Sequence, residues 1–133
     1  MTPTFATIDI QNLRLRTYIG FNPEEMEKQQ DVVINITIRY AINAGALEDR
    51  VEDALNYKTI TKKVIQHVEQ GRFLLLEKLV SDVLSISTEH PSVESARVTI
   101  DKPHALRFAD SVSLSLEYSA RQSNVINYLE KAS

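Results

Sequence analysis

Within Asp101-Lys102-Pro103-His104-Ala105-Leu106-Arg107-Phe108-Ala109-Asp110, a lysine stands where proton chemistry can be set up. Upstream, Ala96, Val98 and Ile100 alternate with Arg97, Thr99 and Asp101, the period-two pattern of a half-buried strand. Lys102 shares the parity of the apolar row, so it points to the core side just where the strand runs out. Pro103 has no N–H to donate and closes the ladder. A lysine so placed is oriented and partly desolvated, a setting suited to proton transfer. A lysine snorkelling from a strand end fits the same spacing. Glu77, in Leu74-Leu75-Leu76-Glu77-Lys78-Leu79, sits near the start of a helical pattern, beside its apolar face. The positive end of a helix favours an ionised carboxylate. Such a carboxylate offers two acceptors to an N–C–N–H edge like that of a pterin or guanine. A surface glutamate favouring a helix start is the plainer alternative. Tyr57 follows a capping asparagine and can stack on a flat ligand, relay a proton, or simply anchor a helix. Glu24, Glu25 and Glu27 make a local acidic cluster able to hold a hydroxyl or a lysine, although most such clusters are only solvated.

The elements that must position these groups follow from periodicity. Phe5–Ile19 alternates, with Ile8 and Ile10 on one parity and Leu13, Leu15 and Ile19 on the other, so a bulge is expected near Gln11-Asn12. Asp31–Ile42 alternates without a slip. Residues 20–30 between them are long for a hairpin, and such loops often carry function. Asn56 caps a helix with Ile60, Val64 and Val68 on one face, and Gly71 ends it. Phe73 to about His90 repeats Leu76, Leu79, Val80, Val83 and Ile86 as a second helix. The lysine strand and Ser111–Tyr118 complete the order ββααββ, an α+β fold with an antiparallel sheet and two helices on one face. The uncovered face is rich in Asn, Thr, Ser and Arg, and two edges stay open. Both features suit subunits joined sheet to sheet in a ring or barrel, with a solvated monomer as the alternative.

Composition narrows the function classes. The 133 residues fit one domain, and 43% hydrophobic content is enough for one core. No cysteine is present, so a disulfide framework, a thiolate nucleophile and a zinc–thiolate site are all excluded. His67, His90 and His104 are not at metal-ligand spacing, so no metal is expected. A net charge of −3 with scattered basic residues argues against nucleic acid. No apolar run approaches a membrane span, and no leader pattern opens the chain, so a cytoplasmic protein without membrane contact is expected. Residues 1–120 are read as the domain and 121–133 as a tail. In the tail, Val125, Ile126 and Leu129 allow a short helix, with a frayed end as the alternative.

Taken together, Gly20…Glu25…Gln30, Ala54-Leu55-Asn56-Tyr57, Leu75-Leu76-Glu77-Lys78-Leu79 and Ile100-Asp101-Lys102-Pro103 resemble the dihydroneopterin aldolase and epimerase family, which has the tunnelling fold. The resemblance runs from about Ile8 to Tyr118. Asn12-Leu13-Arg14-Leu15-Arg16-Thr17, Ile65-Gln66-His67-Val68-Glu69 and Lys102-Pro103-His104-Ala105-Leu106-Arg107 are similar to its epimerase branch. The resemblance implies epimerisation at C2' of 7,8-dihydroneopterin triphosphate by retro-aldol and aldol steps, with some aldolase activity. The alternative it implies is 7,8-dihydroneopterin aldolase, and a pterin- or purine-binding module without catalysis is a third reading. It implies catalytic roles for Lys102, Tyr57 and Glu25, and substrate contacts at Glu77, Leu76, Leu55, Gln30 and His104. It also implies no cofactor, no metal and no Schiff base. The partner is a small-molecule pterin, with sites between subunits of a homo-octamer built from two tetrameric rings. His104, Arg107, Arg14 and Arg16 are candidates for holding the triphosphate.

Overall fold

A computed structural model describes residues 4–121. Its elements are β1 (Phe5–Ile19), α1 (Pro23–Glu27), β2 (Gln30–Ala41), α2 (Ala44–Leu47), a 3-10 turn at Val51–Asp53, α3 (Tyr57–Gln70), β3 (Arg72–Phe73), α4 (Leu76–Ser87), β4 (Val93–Pro103) and β5 (Ser111–Ser119). The sheet order is β3-β1-β2-β4-β5. All neighbours are antiparallel except β1 and β3, which pair in parallel through Tyr18–Arg72 and Ile19–Phe73.

The alternation read from the sequence sets which face is buried. Ile34, Ile36 and Ile38 of β2 face Ile100, Val98 and Ala96 of β4, Val32 continues the β2 row, and all are buried. Across β1 the inward row passes from Ile8 and Ile10 to Leu13 and Leu15 by a register shift between Ile10 and Leu13. Asn12 absorbs the shift at φ 55, and its N–H donates to Asn35 Oδ1 at 2.9 Å.

The two long helices cover the inward rows. In α3, Val64 and Val68 are buried; in α4, Leu79, Val80 and Val83. Asn56 caps α3 by accepting from the Thr59 N–H at 3.1 Å, and Gly71 ends it. Where α3 meets β1, the buried Thr17 hydroxyl donates to Val68 O at 2.6 Å. Each fully buried Val, Leu or Ile contributes about 1.5–3 kcal/mol relative to exposure. That makes the β2–β4 pair a rigid support for whatever stands at its end.

Three local readings needed correction. The second helix begins at Leu76, not Phe73, and ends at Ser87, short of His90. Phe73 is buried in β3 instead, where its carbonyl accepts from the Gly20 N–H at 2.9 Å. The sheet therefore has five strands, the added one being short and parallel. Residues 20–30 are not a plain loop, because Asn22 caps α1 and Pro23 opens it. The expected tail helix through Val125, Ile126 and Leu129 lies outside the described residues.

The uncovered face is polar, as its sequence parity requires. Thr37 donates to Asp9 at 2.6 Å, the Thr99 and Ser115 hydroxyls lie 2.6 Å apart, and Arg97 reaches Glu117 at 3.6 Å. Among the described residues, no strand covers the outer edge of β5 or that of β1 before Tyr18.

Candidate active site

Strand parity delivers Lys102 to the inner side of the sheet at the end of β4, next in line after Ile100. Its Nζ lies 2.8 Å from Glu25 Oε2, and the two side chains are only 12% and 23% exposed. Glu25 reaches this point because α1 turns the acidic segment back toward the sheet. Asn22 Oδ1 accepts from the Glu25 N–H at 2.9 Å, and Pro23 fixes the first helical φ. Of the three clustered glutamates, only Glu25 turns inward; Glu24 and Glu27 are exposed.

A second donor fixes the carboxylate. Gln30 Nε2 donates to Glu25 Oε2 at 3.0 Å and to Ile19 O at 2.6 Å, so the first residue of β2 ties the carboxylate to the last residue of β1. Gly20 provides the space. Its φ is +132°, and a Cβ there would lie 2.1 Å from the Glu25 carboxyl carbon. Only glycine tolerates both that backbone and that approach. The hydrogen bond from Lys102 holds the Glu25 carboxyl below the usual glutamate range, against the opposing push of burial, and Gln30 assists. The result is a fixed ammonium–carboxylate pair, satisfied but within reach of solvent. Such a pair can pass a proton to and from a bound hydroxyl.

A cavity of about 350 Å³ opens on the Glu25 side of this pair, lined by Asn22, Glu25, Gln30, His104 and Ala105 among others. His104 follows the strand end with a left-handed backbone, φ 66. Leu76 and Glu77 form the first turn of α4. Because α4 leads back through residues 88–92 into β4, that turn lies toward the Lys102 end of the sheet. Leu75 provides no side-chain cap, so the first N–H groups of α4 remain open to an outside acceptor. Glu77 is exposed and has no ion-pair partner among the described residues, so its place beside the apolar face brings it no burial within one chain.

Leu55 and Tyr57 are placed elsewhere. Leu55 is buried beside Tyr40, His90 and Ser92, at the beginning of β4. Tyr57 begins α3 and is 50% exposed. Strand β4 separates this end from Lys102, a distance of roughly 30 Å at the usual rise per residue. One chain therefore gathers Glu25, Gln30, Lys102 and His104 at one end of its sheet and carries Leu55 and Tyr57 at the other.

Sequence reasoning gave no role to Gly20 or Asn22. The Asn22-Pro23-Glu24-Glu25 run is a helix-start signature that would have revealed α1. Nothing local indicates that Gly20 must clear space for a side chain five positions on. Among the described residues no group of His, Asp and Glu is arranged to hold a metal ion, and no helix is long and apolar enough to cross a membrane.

Comparison with known proteins gives the family of the chain. Residues 8–117 match the family model for dihydroneopterin aldolase. The chain is similar to dihydroneopterin triphosphate 2'-epimerase of Escherichia coli K12, with 54% identity over 118 residues covering 89% of this chain and 98% of that one. The enzyme of the same name from Pseudomonas aeruginosa is 49% identical over 116 residues, covering 87% of this chain and 94% of that one. Among solved structures, E. coli dihydroneopterin aldolase in complex with neopterin superposes with a TM-score of 0.79 at 28% identity, covering 86% of this chain and 99% of that one.

Proposed function

The chain belongs to the dihydroneopterin aldolase family, and on that premise we propose that it epimerises C2' of 7,8-dihydroneopterin triphosphate, giving the dihydromonapterin form. The observation that carries this reading is 54% identity to an enzyme of that name over nearly its whole length. The half-buried Lys102–Glu25 pair is chemically suited to the task.

In the first half-reaction the 2'-hydroxyl loses its proton and the C1'–C2' bond breaks. Its electron pair moves into the C6=N5 imine, and N5 takes up a proton. C2' is released as an aldehyde carrying the phosphorylated carbon. If that aldehyde turns over before it leaves, the bond re-forms on its other face, and C2' is inverted with no net redox change. Lys102 moves protons at N5 and the 2'-oxygen through water, while Glu25, itself fixed by Gln30, holds its ammonium. Tyr57 serves the cleavage branch, protonating the enol-like carbon once the aldehyde has left, since a carbon already protonated cannot re-form the bond. Glu77, with the Leu76 backbone, grips the amino-pyrimidine edge, and Leu55 and His104 complete the pocket. Escape of the aldehyde before recombination yields 6-hydroxymethyl-7,8-dihydropterin, so aldolase activity accompanies epimerisation.

Since Tyr57 and Lys102 lie at opposite ends of one sheet, a complete site takes them from two copies. The uncovered edges of β1 and β5 favour a ring of chains, with an octamer of two tetrameric rings as the proposed assembly. A cytoplasmic location goes with this function.

Chromatography of the pterins formed from dihydroneopterin triphosphate tests the proposal. A C2' epimer retaining every side-chain carbon is expected. If the sole products are the 6-hydroxymethyl pterin and a two-carbon aldehyde, the second reading, a dihydroneopterin aldolase, replaces it; the family match and the neopterin-bound neighbour favour that reading next. Lys102→Ala is expected to lower turnover about 10²–10⁴-fold, the usual cost of a lost acid–base group.

A further inference from the structure

A second cavity, of about 390 Å³, lies beside the first and is lined by Arg14, Arg16, Asp31, Glu69, Pro103 and His104 among others. His104 borders both cavities, two residues beyond Lys102, a step of roughly 7 Å at full extension. A cavity of this size admits a ligand fragment the size of a phosphate chain.

Its two arginines differ in what they are free to do. Arg16 faces Asp31 across the β1–β2 ladder, binds its Oδ1 at 3.1 Å and donates to Gln29 O at 3.0 Å. Arg14 faces Val33, which offers it no counter-charge, and its guanidinium has no partner among the described residues. Arg107, another candidate by its charge, lines neither cavity; its guanidinium lies 5.3 Å from the Phe108 ring centroid. Glu69 is the unpaired carboxylate on the wall. It opposes an anion, so net attraction has to come from an uncommitted cation, and Arg14 is the one that this cavity provides.

We propose that Arg14, together with His104, forms a subsite for the phosphate chain of the pterin substrate, so that preference for the triphosphate over its dephosphorylated form rests chiefly on Arg14. This deepens the epimerase reading and depends on it for the substrate. A guanidinium matches phosphate oxygens with two parallel N–H donors, which an ammonium cannot do. A phosphate chain held at His104 also keeps the cleaved aldehyde beside Lys102, which favours recombination over escape.

The test compares wild type, Arg14→Ala and Arg14→Lys on dihydroneopterin triphosphate and on dephosphorylated dihydroneopterin, with inorganic tripolyphosphate as a probe. Arg14→Ala is expected to lower kcat/KM for the triphosphate about tenfold or more relative to that for the dephosphorylated substrate, mainly through KM. Arg14→Lys should recover part of the loss. Direct titration should show tripolyphosphate binding to wild type and about tenfold weaker binding to Arg14→Ala. An unchanged ratio between the two substrates, or an equal fall on both, overturns the subsite. Should wild type epimerise neither substrate, the epimerase reading fails by itself, and the tripolyphosphate titration still decides whether Arg14 binds phosphate.

Discussion

Lys102 and Glu25 come from opposite halves of the chain and meet because three independent local rules agree. Parity along β4 turns the lysine inward, the Asn22 cap turns α1 back on the sheet, and Gly20 leaves room for the carboxylate. The pair has a pH signature whose sign can be worked out. Its hydrogen bond to Lys102 depresses the Glu25 carboxyl in the folded state, so the pair contributes stability fully above the ordinary glutamate value of 4.5. That contribution is lost as pH falls through the lower, folded-state value. The difference in Tm between wild type and Glu25→Gln should thus stay constant from neutrality down to about pH 5 and shrink only in stronger acid. Thermal melts across that range check it, and a gap that closes above pH 5 would contradict the depressed carboxyl. The lysine was legible from alternation alone. Pattern alone left its partner as one of three glutamates, and only the family resemblance singled out Glu25, because a loop's return path is not encoded in a period of two or 3.6.

At the scale of elements, caps and register carry the information. Asn56 satisfies a first-turn donor of α3, and the same cap fixes where Tyr57 enters the helix. Asn56→Ala should cost about 1 kcal/mol of unfolding free energy, read as a lower urea midpoint with an unchanged slope. An unchanged midpoint would show that water replaces the cap without loss. Helices α3 and α4 are joined by Asp82, which accepts from His67 at 2.8 Å and from Lys78 at 2.9 Å. Burial alone would raise the Asp82 carboxyl, but the hydrogen bonds from Lys78 and His67 outweigh it and hold it below 3.8. The bulge at Asn12, the cap at Asn56 and the stop at Gly71 were all readable, since each is a local departure from a strong period. Phe73 was misread because a two-residue strand has no period. Its place is fixed by Ile19 and Gly20, more than fifty positions earlier in the chain.

At the scale of the molecule, one chain holds the proposed site residues at two separate ends. Large apolar side chains flank its lysine end: Phe108 is 94% exposed, Phe21 70% and Leu106 58%. The opposite end displays Tyr57, and among the described residues no strand pairs the outer edge of β5 or that of β1 before Tyr18. Exposed apolar surface of this kind marks contact between chains. If copies associate so that Lys102 of one chain meets Tyr57 of the next, two variants that each fail to cleave dihydroneopterin to the 6-hydroxymethyl pterin should complement each other in that cleavage. Lys102→Ala and Tyr57→Phe, unfolded together in equal amounts and refolded, would place both native residues in about a quarter of the sites by random assembly. Turnover of the mixture should therefore exceed the mean of the two variants refolded separately, and size-exclusion chromatography should show the same large assembly in all three samples. Activity no higher than that mean, from an assembly of unchanged size, would confine the site to one chain. Tyr57, which one chain holds the length of β4 away from Lys102, would then have no part in the chemistry.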